Sequence, residues 1–125
     1  MPSGPPDVAL IGPEWPSRAL LRAQLVEEGY SVVATDAWPI PRPYLRRGMT
    51  PRLLIIDLHG LADPETVLDE VAAVLPPDRV LVVTALGTLA PDRVRGRGFN
   101  LVTRPATVGA IVAAAAAVLR RAEPG

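Results

Sequence analysis

Cysteine is absent from all 125 residues, which excludes disulfides, thiolate metal sites and a cysteine nucleophile. Lysine is absent too, so all 13 basic residues are arginine, a bias that GC-rich codon usage explains most simply. Charge of neither sign prevails, because 13 acidic residues balance the 13 basic ones. Nothing in that balance argues for a nucleic-acid partner or an anionic membrane. Aromatic residues make up 4% of the chain, too few for a base-stacking surface. The longest apolar run, Ala110–Leu119, is about half of a membrane span. Met1–Pro6 lacks the charged and apolar regions of a signal peptide, so a soluble cytoplasmic protein is expected. No glycine-rich phosphate loop, nucleophile elbow, metal-ligand cluster or pair of catalytic carboxylates is present, and no enzymatic activity is expected.

What remains is the composition of a globular domain, 49% hydrophobic and 21% charged. At this length one domain is expected, over residues 7–121, with a disordered N-terminal segment 1–6 and a tail 122–125. Five short apolar runs recur: Val8–Ile11, Ser31–Thr35, Leu53–Ile56, Val80–Thr84 and Leu101–Val102. Each is too short for a helix and ends at a polar, Gly or Pro residue, as buried parallel strands do. Helix-length segments lie between them. Ser17–Glu28 carries Leu20, Leu21, Leu25 and Val26 at helical spacing, and Gly29 stops it. Asp63–Leu75 opens with a cap, a proline and an acid, and Pro76-Pro77 ends it. Thr107–Arg121 starts with a cap and ends in two arginines that suit a helix C-terminus. Prolines confine any helix in Trp38–Gly48 to about Pro43–Arg47, and Leu89–Gly98 allows one or two loose turns.

This alternation predicts an α/β fold with a parallel sheet and helices on both faces. Functional groups in such sheets collect at the strands' carboxyl ends. The residues found there are Gly12, Pro13 and Glu14, then Asp36, Asp57, Thr84 and Arg104.

Three of these stretches carry a resemblance. Pro51-Arg52-Leu53-Leu54-Ile55-Ile56-Asp57-Leu58 resembles the third strand of response-regulator receiver domains, whose terminal Asp accepts a phosphoryl group. Val80–Ala85 resembles the fourth strand, which would make Thr84 the phosphate-contacting position. Leu101-Val102-Thr103-Arg104-Pro105 resembles the fifth, which in the family ends in Lys and a cis-Pro. The resemblance covers roughly Asp7 to Arg121 and implies a flavodoxin-like five-stranded sheet in the order 2-1-3-4-5.

The departures from that family are equally informative. Its Mg²⁺-binding acidic pair falls on Gly12 and Pro13, neither of which offers a side-chain ligand. Glu14 is the one nearby carboxylate and a weak metal candidate. Mg²⁺ demands near-ideal octahedral oxygen coordination, and phosphoryl transfer needs its charge. The Lys position holds Arg104, whose planar fork is not equivalent to an ammonium. The aromatic switch position falls on Leu101. Arg104 is therefore expected to bond Asp57 with two parallel donors, replacing both the Lys and the cation.

Each residue also has a plainer reading. Asp57 suits a strand-terminal turn, Thr84 a β-branched strand position, and Glu14 a solvated first turn. Arg104 fits the lysine-free composition, and Arg93, Arg95 and Arg97 a solvated face. His59 is a lone loop histidine without a catalytic partner, and Trp15 and Trp38 suit the edge of a core.

The resemblance implies a signalling module of the bacterial two-component, or phosphorelay, type. The favoured expectation is a pseudo-receiver that works by protein–protein contact, with phosphorylation impaired and no cofactor. One alternative is a working acceptor, phosphorylated on Asp57 by a histidine kinase or phosphotransfer protein and using Mg²⁺. A small flavodoxin-like enzyme is the other. These 125 residues leave no room for an output domain, so the expected partner is a kinase, a phosphotransfer protein or an output protein. Receivers often pair through the face of the last helix, which is Ala-rich here and allows close approach, so the resemblance also implies a two-fold homodimer.

Overall fold

The computed structural model describes residues 6–38, 51–84 and 89–122. Five strands form one parallel sheet: β1 (Val8–Ile11), β2 (Val32–Thr35), β3 (Leu53–Asp57), β4 (Val80–Thr84) and β5 (Asn100–Thr103). Their order is 2-1-3-4-5, and every neighbouring pair is parallel. The helices are α1 (Trp15–Glu27), α2 (Pro64–Val74), α3 (Pro91–Arg95) and α4 (Val108–Ala122), with a 3₁₀ turn at Pro77–Arg79. The Pro43–Arg47 helix and the N-terminal residues 1–5 lie outside the described residues.

The strand run-lengths explain the layering. β1, β3 and β4 are buried at every position, whereas the edge strands β2 and β5 are half-buried or more exposed. Alternation along each strand then feeds two cores. Leu10, Leu53, Ile55, Leu81 and Val83 pack against Leu21 and Leu25 of α1 and Ile111, Ala115 and Leu119 of α4. Leu54, Ile56, Val80 and Val82 pack against Leu68 and Val71 of α2 and Val94 of α3. Burying each such aliphatic side chain contributes roughly 1.5–3 kcal/mol, so these two layers dominate the stability.

Helix boundaries follow the expected signals, with two differences. Gly29, at φ +96, ends α1 in a Schellman arrangement: its N–H donates to the Val26 carbonyl and that of Tyr30 to Leu25. Thr107 caps α4, its hydroxyl oxygen accepting from the Ala110 N–H at 3.0 Å. α1 starts at Trp15, before the expected Ser17, because Pro16 is tolerated in a first turn, where N–H groups need no intrahelical partner. Asp63 does stand at the N-cap of α2, yet in a left-handed conformation (φ 51) that makes no side-chain cap bond. α3 is short, as its proline and glycines require.

Candidate functional site

Asp57 is the last residue of β3 and one of two buried polar or charged side chains among the described residues; Thr84 is the other. A carboxylate there needs donors, because an unpaired buried charge is costly. Two are supplied. The His59 N–H donates to Asp57 Oδ1 at 3.0 Å, and Arg104 Nη1 donates to the same oxygen at 2.6 Å. The side chains are 9% and 26% exposed, so the pair is largely removed from solvent. The contact uses one guanidinium nitrogen and one oxygen rather than the expected two-donor fork. Both donors converge on Oδ1.

Arg104 is placed by the end of β5. Its N–H donates to the Thr84 carbonyl at 3.1 Å, and the Arg104–Pro105 peptide is cis. Thr84 thus joins the site through its backbone. In sheet register Asp57 pairs with Val83, and Thr84 is the buried residue that follows it. Leu101, at the switch position, is half-buried against the α2–α3 core.

The loop after β1 supplies no acid to Asp57. A Cβ on Gly12 would stand 3.6 Å from Asp57 Cβ and 3.8 Å from Arg18 Cβ, so Gly12 lies directly over the site. Pro13 faces Gly60 across the mouth, 3.6 Å from where a Gly60 Cβ would lie. Glu14, the weak metal candidate, instead sets its Oε2 3.1 Å from Nε2 of His59, with both side chains about half exposed. Among the described residues no three His, Cys, Asp or Glu side chains are grouped to hold a metal ion. Among the described residues Asp57 is the one carboxylate lining this strand-end pocket, its Oδ1 is taken by Arg104 and a backbone amide, and positions 12 and 13 are Gly and Pro, which falls short of the octahedral oxygen set that Mg²⁺ demands.

Two contacts were not legible in the sequence. Arg18, one turn into α1, donates to the Gly12 carbonyl, which brings a second guanidinium to the site. His59 lies beside Glu14 instead of standing alone. Both depend on how two loops approach each other, which residue spacing does not encode. Trp15, the first residue of α1, is 68% exposed rather than at the edge of a core, whereas Trp38 packs at the edge of the α2–α3 core and donates to Glu70 at 2.8 Å.

No protein-family model and no curated protein matches the sequence. Solved structures do match. A signal receiver domain from Vibrio parahaemolyticus superposes with a TM-score of 0.73 at 23% identity, over 94% of this chain and 92% of that one. The chain has the fold of a response-regulator receiver domain. A receiver domain from Clostridium thermocellum gives a TM-score of 0.71 at 18% identity, covering 91% of this chain and 94% of that one. The receiver domain of NtrX from Brucella abortus gives 0.70 at 22% identity, covering 91% and 98% respectively. The receiver fold puts Asp57 at the carboxyl end of its central strand, with β1 and β4 on either side. No helix among the described residues is long and apolar enough to cross a membrane.

Proposed function

We propose that this chain is a receiver-type signalling domain that works by protein–protein contact and does not depend on Mg²⁺-assisted phosphorylation. One observation carries the reading: Arg104 Nη1 lies 2.6 Å from Asp57 Oδ1, where the charge of a cation would otherwise be needed. Two further features support it. Gly12 and Pro13 stand at the positions of the acidic pair, and Glu14 is turned to His59.

The pair acts as a lock in physical terms. A buried carboxylate matched by a guanidinium has less to gain from a cation, which would have to rely on the remaining oxygen with no second carboxylate grouped beside it among the described residues. A ligand shifts a conformational equilibrium only by its differential affinity for the two states. With weak metal affinity in either state, Mg²⁺ has little leverage here, and the domain presents one surface constitutively. Its partner is a kinase, a phosphotransfer protein or an output protein.

Calorimetric titration tests the reading. The expected result is no saturable Mg²⁺ binding at low-millimolar concentration. Saturable binding that disappears in Asp57→Asn would restore a working acceptor site.

A further inference from the structure

Beside Asp57 the structure opens a pocket of about 130 Å³ between α1 and α4. Its floor is apolar, built from Leu10, Leu21, Val83, Val108 and Ile111. Its polar lining consists of Ser17, Arg18, Asp57 and Arg104. Apolar walls with a few convergent polar groups are the usual character of a small-ligand site. The volume is small, yet an apolar cavity of roughly 150 Å³ is enough for a benzene-sized guest.

The charges in this pocket do not cancel. Asp57 is matched by Arg104 at 2.6 Å. Arg18 has no carboxylate within ion-pair distance among the described residues; its one acceptor there is the Gly12 carbonyl. A single bond to a neutral carbonyl leaves most of the five guanidinium N–H donors without an acceptor. The pocket therefore carries one surplus positive charge above an apolar floor. Gly12 makes this possible, since a side chain there would occupy the space between Asp57 and Arg18.

We infer that this pocket binds a small monocarboxylate with a short aliphatic tail. The carboxylate is received by Arg18, with Ser17 beside it, and the tail lies on Leu10, Leu21, Val83 and Ile111. A guanidinium can hold a carboxylate by charge-assisted hydrogen bonds, which are about twice as strong as neutral ones. The proposal goes beyond the signalling role and does not depend on the metal question. A titration in the presence of EDTA keeps the two distinguishable.

The probe is butyrate, followed by amide and arginine side-chain NMR shifts on the intact chain. Saturable shifts are expected at Gly12, Arg18 and Ile111, with a Kd on the order of millimolar for so few heavy atoms. Acetate, shorter by two methylenes, is expected to bind roughly fifteenfold more weakly at about 0.8 kcal/mol per methylene. Butanol, which keeps the tail without the charge, should fail to saturate. Arg18→Gln should weaken butyrate and acetate alike by at least about tenfold, since both lose the charged donor. Equal response to acetate and butyrate on the unaltered chain would overturn the proposal. So would shifts confined to the exposed Arg120 and Arg121, or butyrate affinity unchanged in a folded Arg18→Gln variant.

Discussion

Arg104 reaches across β4 to place Nη1 2.6 Å from Asp57 Oδ1, joining the carboxyl ends of β3 and β5, two strands that are not neighbours. The same residue donates its backbone N–H to Thr84 at the end of β4. One side chain and one amide therefore tie three strand ends together. That is a structural role as much as an electrostatic one.

Removing Arg104 should consequently destabilise the fold. Arg104→Gln leaves Asp57 with a backbone donor alone, and the expected loss is about 3 kcal/mol in urea unfolding. Asp57→Asn, which keeps an acceptor for the His59 amide, should cost less. The double variant should cost less than the two single losses added together, with a coupling of about 1–3 kcal/mol. Strict additivity would mean that the two groups do not interact in solution.

Restoring the acidic pair should create a metal site. A Cβ on Gly12 meets only ordinary contacts, at 3.6 and 3.8 Å, so Gly12→Asp is sterically admissible. Gly12→Asp and Pro13→Asp, combined with Arg104→Lys, should bind Mg²⁺ at millimolar concentration. Calorimetric titration reports it. The unaltered chain should give no such change. A triple variant that is folded yet blind to Mg²⁺ would mean that the lost acids do not explain the poor fit.

Helix ends offer a sharper test of local geometry. Thr107→Ala removes a real capping bond and should cost about 1 kcal/mol. Gly29→Ala forces an alanine to φ +96 and should cost about 1–2 kcal/mol. Asp63→Gly should cost nothing, because Asp63 makes no cap bond and sits at positive φ. Thermal unfolding of the three variants checks the ranking, and a large loss at Asp63 would contradict it.

The α2–α3 face should be sensitive to salt but matter little for stability. Arg93 of α3 pairs with Glu65 of α2, and Arg97, in the turn after α3, pairs with Asp69 of α2. These side chains are substantially exposed, so Arg93→Ala should cost below about 1 kcal/mol. Leu68→Ala beneath them should cost about 3 kcal/mol. Equal losses in unfolding experiments would show that the ion pairs contribute more than their exposure allows.

The sheet was readable from residues because a parallel strand buried on both faces is a nearly continuous apolar run. Val8–Ile11 and Val80–Thr84 match their strands residue for residue. β5 is longer than its apolar run by a residue at each end, since an edge strand tolerates Asn100 and Thr103. The site was readable in part. Asp57 and Arg104 follow from position along the strands, the Gly12–Pro13 gap from the resemblance to receiver domains, and the contact between Asp57 and Arg104 from charge. The single-nitrogen geometry, the turn of Glu14 toward His59 and the approach of Arg18 to Gly12 were not readable. Each is fixed by a backbone path through a loop, where no periodicity constrains the side chain.

The central claim is that Arg104 stands in for the cation at Asp57 and leaves the site without metal-assisted phosphorylation. Intact-mass spectrometry after incubation with acetyl phosphate and Mg²⁺ tests it most directly. The account predicts no phosphoryl mass gain in the unaltered chain. A gain that requires Mg²⁺ and is lost in Asp57→Asn would contradict it.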